Sequence, residues 1–166
     1  EFRRVLFRSV IGFLVDPPGY GYAAAPGEIR KTWDALAGTY LKNRSMLNGV
    51  VMTIDVRRLL TDLDRQMLSW LTPGVPVLVL LTKCDKLPFS QRAKARREVL
   101  EQLALARPEG ETSAIVFSST TRLGLDEARE HIEAFFGQKK SPPSEGGEEC
   151  HVTVTPAQGG EAGGTV

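Results

Sequence analysis

Val75-Pro76-Val77-Leu78-Val79-Leu80-Leu81 runs straight into Thr82-Lys83-Cys84-Asp85, and this stretch decides how the chain folds. The apolar run has no polar residue at alternate positions. That pattern suits a strand buried on both faces, as in a parallel sheet covered by helices, rather than one with a wet face. Pro73-Gly74 turns the chain into the run, and four mostly polar residues end it abruptly.

The same reading extends outward in both directions. Val10–Val15 is a short apolar strand closed by Asp16-Pro17-Pro18-Gly19, and Val50–Ile54 is another, ending at Asp55. Thr112–Phe117 is a further strand, followed by Ser118-Ser119. Helical spacing fills the intervals. Pro26 suits a first helical position, and Ile29, Trp33, Leu36, Ala37, Tyr40 and Leu41 then share one face. Thr61-x-x-Asp64 has the form of a capping box ahead of Leu63, Met67, Trp70 and Leu71. Ser90 is expected to cap a long helix with Ala95, Val99, Leu100 and Leu103 inward. Leu125, Ala128, Ile132, Phe135 and Phe136 line a last helix that Gly137 stops. Strands and helices alternate, which means an α/β fold with a mainly parallel sheet and helices on both faces.

The 166 residues make one domain with flanking segments. Residues 1–9 form an uncertain N-terminal segment, either a half-buried strand or foreign sequence. Residues 10–137 are the folded body. Residues 138–166 are rich in Gly, Pro and Glu, poor in large apolar side chains, and expected to be disordered. A net charge of +1 gives no field that would draw DNA. No apolar stretch approaches the roughly 20 residues of a membrane helix, and no signal peptide is visible. Two cysteines, Cys84 and Cys150, make no disulfide framework, so a reducing, cytoplasmic location and no membrane partner are expected. Cys150 and His151 are adjacent, but one such pair is not a metal site.

Ligands of such sheets bind at the carboxyl ends of the strands, and three strand ends carry chemistry. Asp16 can hold a magnesium ion through water, while Gly19 lets a backbone N–H approach a terminal phosphate. Asp85, in Thr82-Lys83-Cys84-Asp85, can accept both N1–H and the 2-amino group of guanine, a donor pair that adenine lacks. The Lys83 stem can lie along the flat base. Phe117, Ser118 and Ser119 end the last strand, where small hydroxyl residues leave room for backbone N–H groups to meet a base oxygen. Each motif alone is ordinary loop chemistry. Lys83 and Asp85 also suit a surface ion pair worth about 0–1 kcal/mol. Together, D-x-x-G, T-K-x-D and S-S follow the order of the guanine-nucleotide motifs in P-loop GTPases.

The stretch Leu14-Val15-Asp16-Pro17-Pro18-Gly19-Tyr20-Gly21-Tyr22-Ala23 resembles the L-V-D-L-P-G-Y-G-Y-A signature of the EngB (YihA/YsxC) family of bacterial GTPases. Similarity continues through Trp33, Tyr40-Leu41, Asp55-Val56-Arg57, Asp62-Leu63-Asp64, the run from Val77 to Leu87, and Phe117-Ser118-Ser119, covering about residues 12–137. The resemblance implies a three-layer, Ras-like P-loop GTPase fold. It also implies binding of GTP and GDP with Mg2+, a role in assembling the large ribosomal subunit, and involvement in septation during cell division. On that basis the nucleotide-binding residues are Asp16, Gly19, Thr82, Lys83, Asp85, Phe117, Ser118 and Ser119, with Asp16 also the water-mediated magnesium position. The partners are guanine nucleotide and the large ribosomal subunit or its precursor, and the protein is a monomer.

Three features qualify this expectation. The family's G-x-x-x-x-G-K-S loop has no counterpart, since none of the 16 glycines precedes a lysine. The chain is therefore expected to be an N-terminally truncated domain without the first strand, P-loop and switch I. In the family that strand lies mid-sheet, so its neighbours would be left with open edges or would re-pair. Nucleotide binding by these residues is expected to be weak. Pro17 also replaces the family's leucine, and Tyr20 stands where Ras-like GTPases have a water-orienting glutamine, so no catalytic residue is assigned. A nucleotide-independent ribosome or RNA interaction module is the alternative. Its surface could include Arg92, Lys94, Arg96 and Arg97, although Glu98 and Glu101 also suit a solvated helix face. A phosphoacceptor receiver domain is a further alternative, with Asp16 and Asp55 as carboxylates and Thr82 and Lys83 downstream.

Overall fold

Alternation along β3 and β4 builds two cores, one on each face of a sheet. A computed structural model describes residues 4–9, 12–16, 47–137 and 151–155. Its elements are β1 (Arg4–Ser9), β2 (Gly12–Asp16), β3 (Leu47–Asp55), α1 (Asp62–Ser69), β4 (Val77–Thr82), α2 (Phe89–Ala106), β5 (Thr112–Val116), α3 (Leu125–Gly137) and β6 (His151–Thr155). The helix expected after Pro26 lies outside the described residues.

Val50, Met52 and Ile54 of β3 and Val77, Val79 and Leu81 of β4 face one way. They pack with Met67 and Leu68 of α1 and Ala95, Val99 and Leu103 of α2. Val51, Leu78, Leu80 and Ile115 face the other way, against Ala128 and Phe135 of α3. This is the three-layer α/β architecture. Val77–Leu81 is buried throughout, as an apolar run without alternation requires.

A register shift between Leu47 and Gly49 breaks the alternation of β3. Leu47 thereby joins the core on the α1/α2 face, and the Asn48 amide donates to the Phe135 carbonyl of α3 at 3.0 Å. Gly49 lies beneath Phe135, and a Cβ there would stand 2.4 Å from the ring.

The sheet order is β1-β2-β6-β3-β4-β5. β2, β6, β3, β4 and β5 are parallel, and β1 runs antiparallel on the edge beside β2. The reading of residues 138–166 as disordered is therefore corrected at His151–Thr155, which form a strand between β2 and β3. A five-residue segment needs little apolar content when both neighbours supply main-chain partners. The expected open edges are accordingly paired with this strand. The other tail residues lie outside the described set.

α1 begins as expected, with Thr61 and Asp64 forming a capping box. Helix α2 begins at Phe89 with Pro88 in the cap position, so Ser90 is inside the first turn rather than a cap. Leu125 is exposed at the start of α3, and Leu100 is only partly buried. Among the described residues no helix is long and apolar enough to cross a membrane.

Candidate functional site

The carboxyl ends of β3, β4 and β5 lie side by side. Asp55 pairs with Thr82 at the end of one ladder, and Leu81 pairs with Val116 in the next. Side chains that end these strands must therefore gather at one edge of the sheet.

At the end of β4, the Thr82 hydroxyl donates to the Ile54 carbonyl at 3.0 Å, tying β4 to β3. Lys83 takes a left-handed conformation with φ 59° and leads into a short 3₁₀ turn, Cys84–Lys86. That conformation is uncommon for a residue with a Cβ. The turn reverses the chain at once and is held by the Cys84 amide donating to the Phe117 carbonyl at 3.3 Å. Cys84 is fully buried, and burial raises its thiol pKa, as suits a packing residue.

Asp85 emerges from this turn toward the end of β5. The buried Ser118 hydroxyl donates to Asp85 Oδ1 at 2.7 Å, and the Lys86 ammonium lies 3.6 Å from Oδ2. The Ser118 hydrogen bond holds the Asp85 carboxyl below its ordinary value, with the nearby Lys86 acting in the same direction. Ser118 is held in turn: its amide donates to the Leu123 carbonyl at 3.0 Å, and its hydroxyl accepts from the Thr121 amide at 3.3 Å. The Asp85 side chain keeps 18% exposure. An ionised carboxylate is thus fixed in direction yet reachable, which is what recognition of two adjacent donors requires.

Lys83 does not pair with Asp85. Its ammonium reaches back across the sheet edge to Asp55 Oδ2 at 3.2 Å. Asp55 also takes a bidentate pair from Arg57, with Nε at 2.9 Å and Nη2 at 2.7 Å, and accepts from the Arg57 amide at 3.1 Å. The Arg57 guanidinium holds the Asp55 carboxyl far below the usual carboxylate range, outweighing the burial that would raise it. In the sequence Asp55 ends a strand, belongs with Arg57 to the Asp55-Val56-Arg57 similarity and serves as a carboxylate of the receiver-domain alternative; its ion pairs with Arg57 and Lys83 are what the structure adds. An acidic residue ending a strand, with arginine two positions on, was the available signal.

The remaining candidates are distributed differently. Phe117 continues the β4–β5 ladder by donating its amide to Leu81, and its ring packs against the α3-side core, while Ser119 is exposed. Asp16 ends β2, but register places it away from this cluster. Val15 pairs with Thr153, and Thr153 with Val50, so Asp16 is level with Val51. That is four residues short of Asp55, or roughly 13 Å along the sheet. Gly19 lies outside the described residues, and of Asp16 only the backbone is described. Among the described residues, no three His, Cys, Asp or Glu side chains converge as a metal site. His131 Nδ1 is 2.9 Å from the Glu127 carbonyl within α3, in keeping with a structural or surface role.

The basic cluster on α2 is partly committed to the fold. Arg92 donates to the Leu87 carbonyl, and Arg96 donates to the Ala114 carbonyl while facing Glu127.

No family model matches the chain. Comparison with individual proteins is decisive. The chain is 48% identical over 126 residues to a probable GTP-binding protein EngB of Paraburkholderia phytofirmans, covering 74% of this chain and 58% of that protein. It is 46% identical over 133 residues to the Bordetella pertussis protein of the same name, covering 80% and 63%. With the Ralstonia nicotianae protein of that name it shares 44% identity over 158 residues, covering 91% of this chain and 68% of the relative. The chain belongs to the EngB family of GTP-binding proteins. It spans about three fifths of the length of the first two relatives. Within this EngB-type chain, the described residues bring Lys83, Asp85 and Ser118 together at one edge and leave Asp16 on a separate strand end.

Proposed function

We propose that this chain carries the base-reading half of a guanine-nucleotide site. Asp85 accepts from guanine N1–H and the 2-amino group, the Lys83 stem flanks the base, and the loop after β5 meets the base oxygen. One observation carries the reading: the Asp85 carboxylate is oriented by a buried serine hydroxyl yet left accessible. Adenine offers no matching donor pair and would leave the acceptor positions that face the base unsatisfied, at a cost of about 1–3 kcal/mol. In the whole protein this site serves a GTP- and GDP-binding, EngB-type role in assembly of the large ribosomal subunit, and in septation, within the cytoplasm.

Asp16 and Gly19 are proposed for the phosphate end, with Asp16 as a water-mediated Mg2+ position. The described residues do not make a magnesium site by themselves, because Asp55 is already neutralised by Arg57 and Lys83. No hydrolytic residue is proposed.

The test is titration of the 166-residue chain with GDP, ADP and XDP, followed through amide NMR shifts, which register even millimolar binding. GDP is expected to shift residues 83–86 and 118–121, with ADP at least about tenfold weaker. Asp85→Asn should invert the preference toward XDP, since the asparagine amide can donate to the xanthine 2-oxygen. Equal responses to GDP and ADP, or an unchanged preference in D85N, would sink this reading.

A further inference from the structure

We propose that Asp55 is a positioning residue for base recognition, locking the Lys83 side chain across the β3–β4 edge before any nucleotide arrives. The inference rests on the base-site reading above and assigns a role to two residues outside its contact set.

The geometry carries it. A lysine on a strand-end loop has a long, freely rotating stem, and ordering that stem on binding would subtract from affinity. Here the ordering is done in advance. Left-handed backbone at Lys83 starts the side chain in a fixed direction, and its far end is held 3.2 Å from Asp55 Oδ2. The methylenes between these two anchors can then offer an apolar edge to a flat base.

Asp55 can do this because it cannot turn away. Its side chain is 6% exposed. Arg57 occupies Oδ1 through Nε and the backbone amide, and Oδ2 through Nη2. Oδ2 has a second lone pair, and Lys83 takes it. Arg57 fixes the carboxylate, and the carboxylate fixes the lysine. Arg57 is half-exposed and its guanidinium engages Asp55, so its effect on the base runs through that carboxylate.

The experiment is a double-mutant cycle on the full 166-residue chain, with GDP affinity read from amide shifts. Asp55→Asn is nearly isosteric but removes the charge that holds the ammonium. It is expected to weaken GDP binding by about threefold to tenfold, and Arg57→Ala by less. In a Lys83→Met background, D55N should cause no further loss. Retained dispersion of the β4 and β5 amides will show that each variant is folded.

If D55N weakens binding equally in both backgrounds, Asp55 acts on the general structure and the proposal is overturned. It is also overturned if D55N or K83M binds GDP as tightly as the parent chain, while the base-site reading survives. If the parent chain fails to distinguish GDP from ADP, both readings fall together.

Discussion

Titration of Asp55 couples the stability of the folded state to pH. Its carboxyl is held low by the Arg57 guanidinium, so the folded chain binds that proton far less readily than the unfolded chain does. An unfolded aspartate titrates near about pH 4. The stabilisation from this group is therefore complete above that value. It is lost as acid takes the solution down toward the folded-state value. The urea midpoint of the parent chain should fall between pH 5 and pH 3, and that of D55N should fall less. Equal falls would mean that the acid sensitivity arises elsewhere. Asp85, also held low, contributes in the same direction.

Arg107 shows a different use of charge at this scale. It is buried, and burial lowers its pKa. Its guanidinium donates to the carbonyls of Thr72, Pro73 and Val75 at 3.0, 3.2 and 2.9 Å. These are the carbonyls of the turn that delivers β4 into the sheet, so a cation closes the entry to the most apolar strand. The sequence alone offered no sign of this, because the contact joins positions more than thirty residues apart.

At the scale of elements, α1 is short, at eight residues, and isolated helices of that length are marginal. Its start is correspondingly well built. The Asp64 carboxylate accepts from the Thr61 amide at 2.7 Å and from the Thr61 hydroxyl at 2.6 Å. Asp64 is itself buried, which the expected inward face of Leu63, Met67, Trp70 and Leu71 did not include. Thr61→Ala should cost about 1 kcal/mol of stability, measured as a urea midpoint shift at unchanged slope. A shift within error would show that Met67 and Leu68 alone hold the helix in place.

The loops after β4 and β5 are elements of a second kind, since each is ordered by the other. The Cys84 amide reaches Phe117, and the Ser118 hydroxyl reaches Asp85. The sequence placed Thr82-Lys83-Cys84-Asp85 and Phe117-Ser118-Ser119 at strand ends, but parallel pairing of β4 and β5 is what brings them together.

Across the whole molecule, β6 joins two parts of the sheet. β1 and β2 stand on one side of it, and β3, β4 and β5 on the other. Its ladders run from Phe13–Val15 to Leu47–Met52. Amides of Val152, Thr153 and Val154 should therefore exchange slowly with deuterated solvent. Thr153→Pro removes a central ladder donor and should separate the β1–β2 hairpin from the rest of the sheet. The expected result is rapid exchange in Phe13–Val15, with protection retained in β4 and β5. Unprotected amides at 152–154 in the parent chain would show that the strand is not held in the sheet.

What the sequence determined by itself was local: apolar runs, helical spacing, the capping box and the motifs at strand ends. The run Val77–Leu81 announced a strand covered on both faces, because a wet face would have put polar residues at alternate positions. Only the tertiary structure decided which strands are neighbours. Strand pairing is set by main-chain hydrogen bonds between segments distant in sequence, and these leave little trace in side-chain composition. Hence His151–Thr155, set in a Gly/Pro/Glu-rich tail, could be read as disordered and yet pair on both edges. Lys83, for the same reason, could be read as a partner for nearby Asp85. It instead meets Asp55, twenty-eight positions away in sequence and one strand away in space.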